Sequence, residues 1–287
     1  NTFCLTRDDR VYLSHHIGDL ENMETLRAFE EGIDHLQRLF DIHPEVIAYD
    51  LHPGYLSTQY ALASRITTKV GVQHHHAHIV SCCAENDFFG RVIGVSWDGT
   101  GYGTDGQVWG GEFLIADTKD FIRAGHFVPV PLPGGERAIR EPWRMGFSYL
   151  RHTFGRDFLG GDLGFLKGID PVKREAVRRI MEKGVNSPLT SSAGRIFDAV
   201  SALLGICQHV NYEGQAAVEL EMAADEGYGE AYSFDVREED GIMLVDMKKM
   251  FQKLVHDVRE GVERGILAAK FHNTMADIIL SVCHRLR

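Results

Sequence analysis

Lys69-Val70-Gly71-Val72-Gln73-His74-His75-His76-Ala77-His78 joins a short apolar strand pattern to the most informative run in the chain. A helix opening near residue 74 puts His74 and His78 at i and i+4, on one face and one turn apart. Imidazoles in that arrangement can converge on a single metal ion, as in a His-Glu-x-x-His helix. The place fits too, because ligands of open α/β sheets gather at the carboxyl ends of strands. The plainer alternative is a polar helix start, which four histidines in five residues make the weaker reading. Ala77 and the internal position exclude a purification tag. Zinc, iron, copper and nickel all suit imidazole, so spacing alone does not choose the metal.

Upstream, residues 2–6 and 11–14 form a hairpin pattern around Arg7-Asp8-Asp9-Arg10. Leu26, Phe29, Ile33, Leu36 and Phe40 then recur at helical spacing. Residues 45–51 read as a buried strand stopped by His52-Pro53-Gly54, and residues 55–66 as a helix. This close alternation predicts an α/β sheet covered on both faces. Downstream, residues 92–97 and 108–116 are strand patterns flanking a glycine-rich stretch. Residues 126–190 are less regular and read as a helical insertion, with a glycine cluster at 160–164 and a basic helix near 172–183. Helical patterns return at 194–204, 214–224, 247–263 and 266–287.

Composition narrows the function classes. With 287 residues and a net charge of −11, the chain carries no general footprint for phosphate-backbone binding. No apolar run approaches the roughly 20 residues that span a bilayer, and residues 1–4 show no signal peptide. The five cysteines are odd in number, irregularly spaced and without a Cys-x-x-Cys pair. That argues against a disulfide framework or thiolate zinc site and for reduced, mostly buried thiols in a cytoplasmic protein. The adjacent Cys82-Cys83 leaves redox sensitivity open.

Asp98-Gly99-Thr100-Gly101-Tyr102-Gly103 joins strand to strand, which excludes a Walker loop and a Rossmann fingerprint. A glycine-rich hairpin opening on an acid can close backbone N–H groups around phosphate while its carboxylate holds a metal or water. An ordinary glycine turn is the competing reading. Twenty residues after the histidines, Asp98 becomes a candidate third ligand. Ser191 and Ser192 are candidate N-caps for the helix carrying Arg195 and Asp198. That pair reads either as a surface ion pair or with Asp198 accepting from a ribose. Gly214, Gln215 and Glu219 open another helix, whose small residues admit close ligand approach.

Several blocks together resemble one family. They are Asn1-Thr2-Phe3-Cys4, the run from Ser14 to Leu20, Asp50-Leu51-His52-Pro53, Leu56-Ser57-Thr58, the histidine run, the run from Trp97 to Gly103, Trp109-Gly110-Gly111-Glu112, and the run from Gly194 to Ala199. Over essentially the whole chain they look like the C-terminal domain of the HypF hydrogenase-maturation carbamoyltransferases. That domain is similar to the universal tRNA threonylcarbamoyl-transfer ATPases.

The resemblance implies a two-lobed actin-like ATPase (ASKHA) fold of the α/β class with ribonuclease H-like lobes. Residues 1–88 would form a first lobe ending in the histidine helix. Residues 89–287 would form the second, with a helical insertion at about 126–190. It further implies that carbamoyl phosphate and ATP yield carbamoyladenylate, whose carbamoyl group passes to the C-terminal cysteine of HypE and becomes the cyanide ligand of nickel–iron hydrogenase.

By resemblance His74, His78 and Asp98 are catalytic and hold a divalent metal, iron or zinc, with magnesium accompanying the nucleotide. Gly99, Thr100, Gly101 and Tyr102 would form the phosphate loop. Asp198, Gly214, Gln215 and Glu219 would surround ATP or carbamoyladenylate. A YrdC-like domain precedes this one in the family. The family also continues past the equivalent of Arg287 with a Ser-Gly-Gly-Val loop and a final Asp, so the second lobe is expected to be truncated. HypE is then the protein partner, without nucleic acid or membrane.

Two other readings compete. A tRNA threonylcarbamoyl transferase usually carries His-x-Glu-Gly-His, where this chain has His76 and Ala77. A non-catalytic nucleotide-sensing module would bind without transfer. A plain metallohydrolase lacks its general-base Glu after His75.

Overall fold

Short β-branched runs and one strongly amphipathic helix build the N-terminal part of the chain. In the computed structural model, which describes residues 1–155, 158 and 163–287, the chain divides into two units, Asn1–His74 and His75–Arg287. In the first, β1 (Cys4–Arg7) and β2 (Arg10–Leu13) form an antiparallel hairpin. Helix α1 (Met23–Phe40) is capped by Asn22, whose side chain accepts from the Thr25 amide. It buries Phe29 and Ile33, and Phe3 and Tyr60 each meet the Phe29 ring edge-on.

Strand β3 (Val46–Asp50), helix α2 (Leu56–Ala63) and β4 (Thr68–Val72) follow, and β3 pairs in parallel with β4. The expected fully buried strand is not found here. Val46 and Val70 are exposed, because two paired strands are both edges and cover little surface.

Helix α3 (His74–Glu85) follows β4 after a single residue. From His75 onward it belongs to the second unit, where Ile79 packs with Leu114 and Ala116. The histidine helix thus packs, through Ile79, on the second unit's sheet.

The second unit begins with β5 (Val92–Tyr102), β6 (Val108–Ala116) and β7 (Phe121–Phe127), an antiparallel meander. After β8 (Val130–Pro131) come α4 (Glu136–Arg140), α5 (Trp143–Phe154), α6 (Pro171–Lys183), β9 (Leu189–Thr190), α7 (Ala193–Leu203) and α8 (Gln215–Met222). The hairpin β10 (Asp235–Glu239) and β11 (Ile242–Asp246) and helices α9 (Lys248–Arg259) and α10 (Arg264–Leu286) complete it. β6 lies inside a seven-stranded mixed sheet. β5 flanks it on one side, β7 on the other, and β9 meets its start at Val108. Beyond β7, β11 adds in parallel and β10 antiparallel to it.

The segment expected as an insertion is part of this core. Trp143, Met145, Phe147, Tyr149 and Leu150 of α5 are at most 2% exposed, and β8 and β9 join the main sheet. Pro-Leu-Pro-Gly-Gly at 131–135 hides the periodicity that follows it. Of the glycine cluster, Gly160 and Gly161 lie outside the described residues. Helix α10 has the length and apolarity to cross a bilayer, but Leu267, Phe271, Ile278 and Val282 on it are fully buried in the core. The thiols are also more open than expected: Cys4 and Cys82 are exposed, and only Cys207 is buried.

Candidate metal and nucleotide site

Four histidines open α3, and helical geometry sorts them into two kinds. His75 and His76 are buried: His75 lies beside the Trp109 ring, and His76 Nε2 is 2.7 Å from the Asp117 carbonyl oxygen. His74 and His78 share the other face. His74 Nδ1 stands 2.7 Å from Asp50 Oδ2, and the His52 amide donates to Asp50 Oδ1 at 2.7 Å. Burial pushes the Asp50 carboxyl up, but the hydrogen bonds from His74 and His52 hold it below its usual range. A carboxylate bound to one imidazole nitrogen is how metal-ligating histidines are commonly oriented.

His78 is more exposed, and its Nε2 lies 4.0 Å from Asp98 Oδ2. One ligand atom from each of His74, His78 and Asp98 lies within 4.8 Å of the others. Two imidazoles and a carboxylate form a donor set that suits zinc or ferrous iron. The residues present therefore fit a divalent metal.

Asp98 reaches this position through an irregularity in β5. Trp97 pairs with Gly111 and Gly101 with Trp109, so residues 98–100 bulge opposite Gly110. The glycine-rich stretch expected to be a turn is the bulged end of a strand, and the reversal falls between Tyr102 and Val108. Asp98 Oδ1 accepts from the Gly99 amide at 2.6 Å. From behind, Ser192 caps α7 and its hydroxyl lies within donating distance of the carbonyls of Asp98 (2.8 Å) and Gly99 (2.7 Å). Two glycines permit this approach. A Cβ on Gly110 would stand 2.6 Å from the Asp98 carbonyl oxygen, and one on Gly194 would stand 2.9 Å from Gly99 Cα. A groove of about 410 Å³ runs from Asp98 and His78 along β5 to Cys82 and Cys83.

Arg195 and Asp198 do not lie on a solvated face. Both side chains are under 9% exposed, with Nε and Oδ2 2.6 Å apart. Burial raises the Asp198 carboxyl to about 6 against the pull of Arg195. Arg195 Nη2 is 3.8 Å from where a Cβ on Gly99 would be, so the pair underlies the bulge. Gly214 (φ +77°) precedes α8. Gln215 accepts from the Asn211 amide and donates to Glu219 Oε1 at 2.7 Å. Burial and the nearby Glu219 carboxylate push the Cys207 thiol up to about 11, and Asp198 adds to the effect. Asp198, Cys207 and Glu219 thus share one neighbourhood between α7 and α8.

Sequence reasoning missed the support beneath Asp98. Glu112 is fully buried in β6, where it accepts from Arg123 Nε at 2.7 Å and from the Ser191 hydroxyl at 2.5 Å. An acid inside the apolar strand Val108–Ala116 was the available signal.

The α/β fold with two histidines and an aspartate beside a glycine bulge belongs to a chain that family models class as a Kae1-like domain. One, described as a HypF Kae1-like domain, matches residues 1–85. Another, described as the second subdomain of a carbamoyltransferase Kae1-like domain, matches residues 94–287. The chain belongs to the HypF carbamoyltransferase family.

Carbamoyltransferase HypF of Synechocystis sp. is 35% identical over 99% of this chain. HypF2 of Cupriavidus necator is 46% identical over 80% of it. The chain spans 39% and 28% of these relatives' lengths, respectively. A crystal structure of full-length HypF in a phosphate- and nucleotide-bound form matches with a TM-score of 0.93 and 40% identity, over 100% of this chain and 44% of that one. The α/β fold is therefore that of the HypF Kae1-like structures, in agreement with the two-lobed ATPase-like architecture expected from the sequence.

Proposed function

We propose that this chain performs the carbamoyl-transfer step of a HypF protein. The carbamoyl group of carbamoyladenylate, made from carbamoyl phosphate and ATP, passes to the C-terminal cysteine of HypE and becomes the cyanide ligand of nickel–iron hydrogenase. The observation that carries the reading is the convergence of His74, His78 and Asp98 beside the bulge at 98–100. In the transfer a sulfur–carbon bond forms, the carbon–oxygen bond to the adenylate breaks, and AMP and the thiol proton leave.

His74, His78 and Asp98 would hold the divalent metal, iron or zinc. When bound, it supplies positive charge that orients a phosphate or carbonyl oxygen. Asp50 fixes the His74 ring. Gly99, Thr100, Gly101 and Tyr102 border the phosphates, with magnesium accompanying the nucleotide. Gly214, Gln215 and Glu219 border the nucleoside above the Arg195–Asp198 pair. A preceding YrdC-like domain delivers the intermediate, and the setting is cytoplasmic without nucleic acid or membrane. The acidic net charge favours a protein acceptor over RNA.

The test supplies synthetic carbamoyladenylate and a HypE tail peptide to the full-length protein. A thiocarboxamide product by mass spectrometry supports the proposal. Nucleotide binding without product would favour a sensing module, and saturable tRNA binding at physiological salt would favour the tRNA-modifying reading.

A further inference from the structure

The Trp109-Gly110-Gly111-Glu112 block has no part in the function proposed above, yet it contains a fully buried acid. A buried carboxylate persists only where donors surround it, and here they come from three elements. Arg123 of β7 donates from Nε, and the guanidinium lies 3.9 Å over the Trp109 ring. The amides of Gly110 and Gly111 lie 3.3 Å from Glu112 Oε1. The Ser191 hydroxyl, one residue before the α7 cap, donates to the same oxygen. Ser192 then contacts the carbonyls of Asp98 and Gly99, and Gly110 is the residue opposite the bulge.

We infer that Glu112 is a positioning residue for the 98–100 bulge. It clamps Gly110 on one side and the Ser191–Ser192 corner on the other, and so fixes the backbone from which Asp98 reaches His78. Glu112 stays behind that backbone and acts on Asp98 through it. This assignment rests on the metal reading of His74, His78 and Asp98 for its purpose, but not for its geometry.

The experiment compares the full-length protein with Glu112→Gln and Ser191→Ala variants by hydrogen exchange resolved to peptides, alongside zinc(II) affinity by chelator competition and thermal melting. Ser191→Ala removes the hydroxyl that ties Glu112 to the α7 corner, with a 3.4 Å contact from Arg123 Nη2. It leaves the carboxylate and its other donors in place, so it keeps the test open if Glu112→Gln does not fold. The expected result is exchange at residues 98–100 faster by about 10-fold in both variants, with α5 and α9 unchanged. Zinc affinity should fall about 10- to 100-fold, as for other outer contacts of a metal site. Exchange at 98–100 equal to wild type, or accelerated equally across the whole unit, would overturn the inference. Wild-type protein that takes up no zinc would remove the metal reading, and the exchange comparison would still decide the role of Glu112.

Discussion

The bulge around Asp98 and the start of α8 were both expected to bind ligand, and they are built in opposite ways. Asp98 is braced from behind by the buried Ser192, whose hydroxyl contacts its carbonyl, and by Gly110, whose amide lies 3.3 Å from the buried Glu112. Gly214, Gln215 and Glu219 begin a helix that exposes Val218 and Met222 and is tied locally by one side-chain pair. A metal ligand must be held to a few tenths of an ångström, whereas a nucleoside edge tolerates a softer wall. Under the proposed function, the difference would separate a preorganised metal centre from an adaptable nucleotide-binding surface.

The largest effect should come from removing Asp98. Asp98→Ala is expected to lower carbamoyl transfer at least about 100-fold with little change in melting temperature. Retained transfer would break the comparison at its rigid end. Next, Gly194→Ala places a methyl against the Gly99 backbone and should cost about 1–3 kcal/mol by denaturant titration. Gly214→Ala meets open space and should cost only about 1 kcal/mol, for its positive φ.

The buried Arg195–Asp198 pair adds a pH test. Asp198 in the fold keeps its proton up to about 6, whereas the unfolded chain releases it near the ordinary carboxyl value of 3.8. The fold therefore binds more protons in this window, and this contribution to stability declines as pH rises from about 4 to about 6. Asp198→Asn should flatten that slope in melts across the range. The smallest effect belongs to α8: Gln215→Ala should change stability by about 0.5–1 kcal/mol and weaken nucleotide binding several-fold in calorimetry.

Local periodicity carried much of the fold. α1, α3, β6 and α10 lie where spacing placed them, and the i, i+4 rule separated His74 and His78 from the buried His75 and His76. Two features were not legible, each because long-range packing decides it. The 98–103 glycines read as a turn, because a bulge depends on the register of β6. Arg195 and Asp198 read as a polar face, since a buried ion pair has the same spacing as an exposed one. The β10–β11 hairpin did leave a local signal, Asp240-Gly241, both residues at positive φ in a two-residue turn, which passed unread amid the acidic run before it.

Metal content by elemental analysis of wild type, His74→Ala and His78→Ala, purified alike, tests the central claim most directly. One equivalent of zinc or iron per chain in wild type, falling below about one tenth in both variants with unchanged circular dichroism, is the expected result. Equal metal content in all three proteins would contradict it.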